Sequence, residues 1–152
     1  MSNFTLRMMT IEDYEEVNSL WMSISGFAMR SIDDSKEGVM RFLERNRGLS
    51  VVAVDEQGKI AGTILCGHDG RQGAFYHVCV RTDVRRHGIG KDMVVYCMKR
   101  LREERINKIR LVAFEENESG NAFWNGIGWV KADGFNCYDF TLNEKNIIAF
   151  NK

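Results

Sequence analysis

Residues 80–91 read V-R-T-D-V-R-R-H-G-I-G-K, and they carry the densest chemistry in the chain. An apolar run (75–80) ends there, a helical pattern follows Gly90, and between them lie Arg81, Arg85 and Arg86 with Gly88 and Gly90. A turn that opens a helix presents backbone N–H groups without intrahelical partners, and the helix dipole adds positive potential. Glycine lets a ligand approach the backbone closely, so the stretch reads as an anion site, with phosphate the natural occupant.

Other phosphate signatures fit less well. A dinucleotide fingerprint needs a third glycine where this chain has Met93, and a P-loop needs Ser or Thr after Gly90-Lys91, where Asp92 stands. Cys66, His68, His77 and Cys79 make C-x-H and H-x-C pairs on neighbouring predicted strands, a spacing also compatible with a metal. Half of that set falls in predicted core, so no metal site is expected.

The elements that must position the turn follow from periodicity. Residues 4–8 form a short strand. Thr10-x-x-Asp13 resembles a capping box, and Ile11, Tyr14, Val17, Leu20, Trp21 and Ile24 recur at helical spacing up to Gly26. A second helix starts within 31–35 and runs to about Asn46, Asp33 and Asp34 reading as caps. Strands at 51–54, 60–66 and 74–80, separated by D-E-Q-G-K and G-H-D-G-R-Q-G, make an antiparallel meander. A long helix after Gly90 has Met93, Cys97 and Leu101 on its apolar face. The strand at 109–114 is then parallel to its predecessor through a right-handed crossover and buried on both sides. A short helix at 119–127 and a hairpin of 129–131 with 137–142 around Asp133-Gly134 complete the pattern. Residues 143–152 are left as a flexible tail or terminal piece. The order is β-α-α-β-β-β-α-β-α-β-β, an α/β mixed sheet with helices on both faces, expected as one domain over 1–152.

Composition limits the partners. Lys+Arg and Asp+Glu each total 21 in 152 residues, so nothing favours a nucleic acid. No apolar run approaches the roughly 20 residues of a bilayer span, and the first residues lack a signal-like apolar region. Four cysteines without close pairing, all within apolar segments, read as buried thiols of a cytoplasmic protein.

Arg85-Arg86-His87-Gly88-Ile89-Gly90, an Arg-x-x-Gly-x-Gly turn between strand and long helix, resembles the acyl-CoA loop of the GNAT acetyltransferase superfamily. Downstream, Asn117, Ala122-Phe123-Trp124 and Gly128-Trp129 resemble that superfamily's later motif, and the turn at 67–73 is similar to that of small stand-alone bacterial members. The resemblance implies a fold in which the strand bearing Val78, Cys79 and Val80 splays from its parallel neighbour. It implies acetyl-CoA held by Val78, Cys79, Val80, Arg85, Arg86, His87, Gly88, Ile89, Gly90, Lys91, Asn117, Phe123 and Trp124, with no metal. An N–H near Val78 would hold the thioester carbonyl, as an oxyanion hole does.

Relatives often carry a base four or six positions before the residue matching Val80, here Tyr76 and Ala74, neither an acid. Strand alternation puts Tyr76 on the face of Val78, toward the cleft, and His77 on the other face. Tyr76, His77 and Trp124 are the catalytic candidates. Trp124 stands where the family usually has a tyrosine acid, and an indole N–H donates a hydrogen bond without delivering a proton. The implied reaction is acetyl transfer from acetyl-CoA to a primary amine by direct attack in a ternary complex. The amine is a small molecule, an antibiotic or a protein amine, approached by residues within 21–34 and 131–138. The alternative is a CoA-binding regulatory or interaction module with little turnover. Dimers are common in the family, and aromatics near the C-terminus fit a homodimer.

Overall fold

The computed structural model describes residues 3–151. A five-stranded sheet runs in the order β1 (Thr5–Met8), β3 (Val51–Val54), β4 (Ile60–His68), β5 (Gly73–Val80), β6 (Ile109–Arg110). The first three pairings are antiparallel and β5–β6 is parallel. β4 is buried along almost its whole length, as a central strand covered on both faces must be.

One face carries α3 (Ile89–Glu103) and α4 (Glu118–Gly126), with Met93, Val94, Cys97 and Leu101 packed on Val51, Ile64 and Phe75. The other carries α1 (Tyr14–Ser23) and α2 (Lys36–Arg45), with Val17, Leu20, Trp21 and Val39 over Val52, Leu65 and Cys79. Before α1 the chain makes a 3₁₀ turn, Ile11–Asp13, and the Asp13 carboxylate accepts the Thr10 N–H at 2.9 Å. α2 is capped by Ser35, which accepts the Gly38 N–H at 3.1 Å, so neither Asp33 nor Asp34 is the cap.

Three expectations are corrected. The strand at 109–114 keeps ladder pairs only at Ile109 and Arg110. Further on, the Phe114 carbonyl is taken by the Asn117 N–H and the Asn121 amide, which turn the chain into α4. The hairpin at 129–142 does not form. Trp129 is held in an aromatic cluster with Trp124 (4.6 Å between ring centroids) and Phe75 (5.6 Å), and the residues after it reach no sheet edge. A two-stranded ribbon without such support is marginal at best. The loop expected near 27–32 instead contains β2 (Ala28–Arg30), paired antiparallel with β7 (Ile148–Phe150). Asn151 donates its side-chain amide to the Trp21 and Ile24 carbonyls, so the chain end is tied to α1.

Candidate active site

The turn after β5 takes its shape from backbone conformation. A 3₁₀ turn, Thr82–Val84, leads into Arg86 (φ 69°) and Gly88 (φ 81°), the residue preceding α3. At Gly88 the left-handed conformation favours glycine, and nothing lies within 4 Å of where a Cβ would stand. The first bond into the helix runs from the Asp92 N–H to the Gly88 carbonyl, which leaves the N–H groups of Ile89, Gly90 and Lys91 at the open helix end. At Gly90 a Cβ would stand 3.0 Å from Phe123, so glycine allows α4 to close against this turn. Arg85, Arg86, His87 and Lys91 are exposed, and Arg85 donates Nε–H to the Val80 carbonyl at 3.1 Å. Arg81 is committed to structure, with Asp55 at 2.9 Å and Asp83 at 2.6 Å.

The strand that feeds this turn has an open edge. Among the described residues β5 meets β6 only at Gly73↔Ile109 and Ala74↔Arg110, and residues 75–80 have no strand beside them on that side. Cys79 pairs with Thr63 and the Arg81 N–H bonds Ala61, both toward β4. By alternation the N–H groups of Val78 and Val80 point to the gap. Cys79 is turned away from it. Its thiol lies 3.3 Å from the Thr63 hydroxyl, and burial pushes its pKa up to about 11.

A bulge interrupts β5. Register slips between Thr63 and Leu65, and His77 adopts φ 50°. The extra residue overturns the alternation expected for this strand. Tyr76 leans edge-on against Phe42 (5.9 Å), and His77 also turns to the α1/α2 face, whereas Val78 packs on the α3 side. Tyr76 and Val78 therefore do not share a face. The bulge is held by buried Thr63, which donates to the His77 carbonyl (2.8 Å) and accepts the Trp21 indole N–H (3.0 Å).

His77 lies against Trp21 and Phe27, each with ring centroids 4.7 Å away, and its Nε2 is 2.6 Å from Oδ1 of Asp34. Asp34 is buried, and its other oxygen accepts the Arg30 N–H at 2.7 Å. The preceding loop is fixed by Asn146, whose carbonyl accepts the Ile32 and Asp33 N–H groups. In the sequence Asp34 reads as a cap, Phe27 lies within the expected acceptor stretch 21–34, and Thr63 carries no signal. The polar run before α2 was the only signal, and nothing local reveals a partner 43 residues away.

On the other side of the sheet, Trp124 packs on Phe123 (4.9 Å), Trp129 and Phe75. Asn117 caps α4, accepting the Gly120 N–H at 3.0 Å. The C-x-H and H-x-C residues do not converge: His68 pairs with Glu104, His77 with Asp34, and Cys79 with Thr63. Among the described residues there is no group of three or more His, Cys, Asp or Glu able to hold a metal. Nor is any helix there long and apolar enough to cross a membrane.

The acetyltransferase (GNAT) family model matches residues 13–129. Among solved structures, the chain is similar to the PaiA N-acetyltransferase of Thermoplasma acidophilum in complex with coenzyme A (16% identity, 96% of each chain, TM-score 0.73). It is also similar to the ribosomal-protein-alanine N-acetyltransferase of Brucella melitensis (19% identity, 93% of this chain and 100% of that one, TM-score 0.65). A third is glucosamine-6-phosphate N-acetyltransferase of Arabidopsis thaliana (21% identity, 91% and 99%, TM-score 0.62). At these identities the likeness is one of fold, and the fold is the mixed α/β sheet with a parallel strand pair and flanking helices that the sequence predicts.

Proposed function

The chain belongs to the acetyltransferase (GNAT) family, whose members depend on acetyl-CoA, and from that premise we propose that it transfers the acetyl group to a primary amine by direct attack within a ternary complex. The observation that carries this reading is the coincidence, on one strand, of an edge open beyond Ala74 and an anion-ready helix start at Gly88.

Acetyl-CoA supplies an activated acetyl thioester, and the chain's residues bind and orient it. The N–H groups of Ile89, Gly90 and Lys91, with Arg86 and Lys91 nearby, suit its diphosphate, and the bare surface at Gly88 leaves room for it. The Val78 and Val80 N–H groups suit the pantetheine arm and the thioester carbonyl. Cys79 supports this edge through its bond to β4, Phe123 closes the turn, and Asn117 and Trp124 line the opposite wall.

An alkylammonium acceptor, pKa about 10.4, must first lose a proton, which costs about 4.6 kcal/mol at pH 7. His77 is the group best placed to take it. A carboxylate on Nε2 favours the tautomer with the proton there, leaving Nδ1 as the acceptor. Asp34 acts through His77 as a positioning residue, and exposed Tyr76 walls the acceptor's approach. The similar structures are named for acceptors as different as a protein alanine and an amino sugar phosphate, so the acceptor class stays open between a small molecule and a protein amine.

A second reading, a CoA-binding module without turnover, draws on Trp124 in place of the family's usual tyrosine. Thiol release from acetyl-CoA over a panel of amines separates the two. Release above hydrolysis with at least one amine is expected. Acetyl-CoA binding in calorimetry without release for any amine would favour the module.

A further inference from the structure

α3 ends beside a hollow that the proposed reaction does not use. It is a cavity of about 200 Å³, lined from the last turns of α3 and from the start of β6. Its floor is apolar: Leu101 and Ile106 are buried, with half-buried Met98, Ile109 and Trp129 around them. A turn in the chain builds it. Arg105 takes φ 65°, left-handed, where a helix end usually has glycine, and the Ile106 N–H returns to the Leu101 carbonyl at 3.0 Å.

Charge and size define what fits. Arg102 and Lys108 line the cavity and are exposed, and among the described residues neither has a carboxylate partner. The carbonyls at the end of α3 do not offset these cations, because those of Arg100, Leu101 and Arg102 each accept a backbone N–H. An apolar cavity of about 150 Å³ takes a benzene ring, so this one takes a hydrocarbon body of about six carbons with its head group at the mouth. We propose that the cavity binds a small organic carboxylate, its hydrocarbon on Leu101, Ile106 and Trp129 and its carboxylate between Arg102 and Lys108. The guanidinium fork and the ammonium together match one such group. This is not the acetyl-CoA site. The 15 residues of α3, at about 1.5 Å each, put the cavity about 20 Å from the turn at Gly88.

The test follows the tryptophan indole N–H signals of the full chain by NMR while heptanoate, heptan-1-ol or heptylammonium is added. Trp129 is assigned through Trp129→Phe, and Trp21, 0% exposed on the other face of the sheet, serves as the control. Heptanoate should shift Trp129 saturably and leave Trp21 in place. Heptan-1-ol should bind about tenfold more weakly for want of two ion pairs, and heptylammonium no better than the alcohol. Arg102→Gln/Lys108→Gln, two exposed changes, should bring heptanoate down to the alcohol's affinity with Trp21 unmoved. No shift of Trp129, equal binding of acid and alcohol, or full affinity in the double variant would overturn the proposal. So would loss of the heptanoate shift under saturating acetyl-CoA, which would place the acid along the open edge of β5. The titrations without acetyl-CoA stand whether or not the chain transfers acetyl groups.

Discussion

At the residue scale the proposed base is His77, and its environment dictates how it should fail. Positioned proton acceptors contribute about 10²–10⁴ in rate. His77→Asn should therefore lower kcat by that order while acetyl-CoA affinity in calorimetry stays put. Asp34→Asn keeps the shape but removes the anion beside Nε2 at 2.6 Å. It should lower kcat while the acetyl-CoA affinity and the unfolding midpoint hold, whereas a purely structural role would lower the midpoint. Trp124→Tyr tests the leaving group. A thiol of pKa near 8.5 leaves as thiolate at a cost of about 2 kcal/mol at pH 7, so a phenol could raise kcat by up to about 30-fold. The cysteines give an independent check on burial. Cys66, Cys79 and Cys97 are buried and Cys137 is exposed, contrary to the expectation that all four are buried. One thiol should react with Ellman's reagent in the native protein and four in denaturant.

At the scale of elements, the bulge in β5 decides which side chains turn to the α1/α2 face, and Thr63 holds it. Thr63→Val keeps the shape but removes the bond to the His77 carbonyl and strands the buried Trp21 indole N–H. Leaving such a donor unsatisfied costs about 1–3 kcal/mol, to be read from denaturant unfolding. The start of α1 has a pH signature. Burial raises the Asp13 pKa, but the hydrogen bonds from Arg7 and from the Thr10 backbone outweigh it, and the net shift is downward. A depressed carboxyl contributes stability that is present above its unfolded-state pKa, about 3.9, and is lost as pH falls through the folded value. The stability gap between wild type and Asp13→Asn should therefore be flat at neutral pH and close below about pH 4.

Much of the whole molecule was legible in the chain. The meander β3–β4–β5 and the four helices follow from alternation, helical spacing and glycine-bearing turns, because those signals are local. The Arg85–Gly90 turn was readable for the same reason. The bulge was not. A one-residue slip leaves no mark in an alternating apolar run, and it puts Tyr76 and Val78 on opposite faces, where alternation predicts a shared one. The Asp34–His77 pair, the β2–β7 ribbon and the stranded 129–142 segment all depend on contacts between distant parts of the chain. Two core layers press on a sheet whose last parallel pair is joined at only two positions, and that gap is the feature on which the functional account rests. Amide hydrogen exchange with and without acetyl-CoA tests it most directly. The account predicts slowed exchange at Val78, Val80 and the first turn of α3 (Ile89, Gly90, Lys91). Saturating acetyl-CoA that leaves those amides unprotected would contradict it.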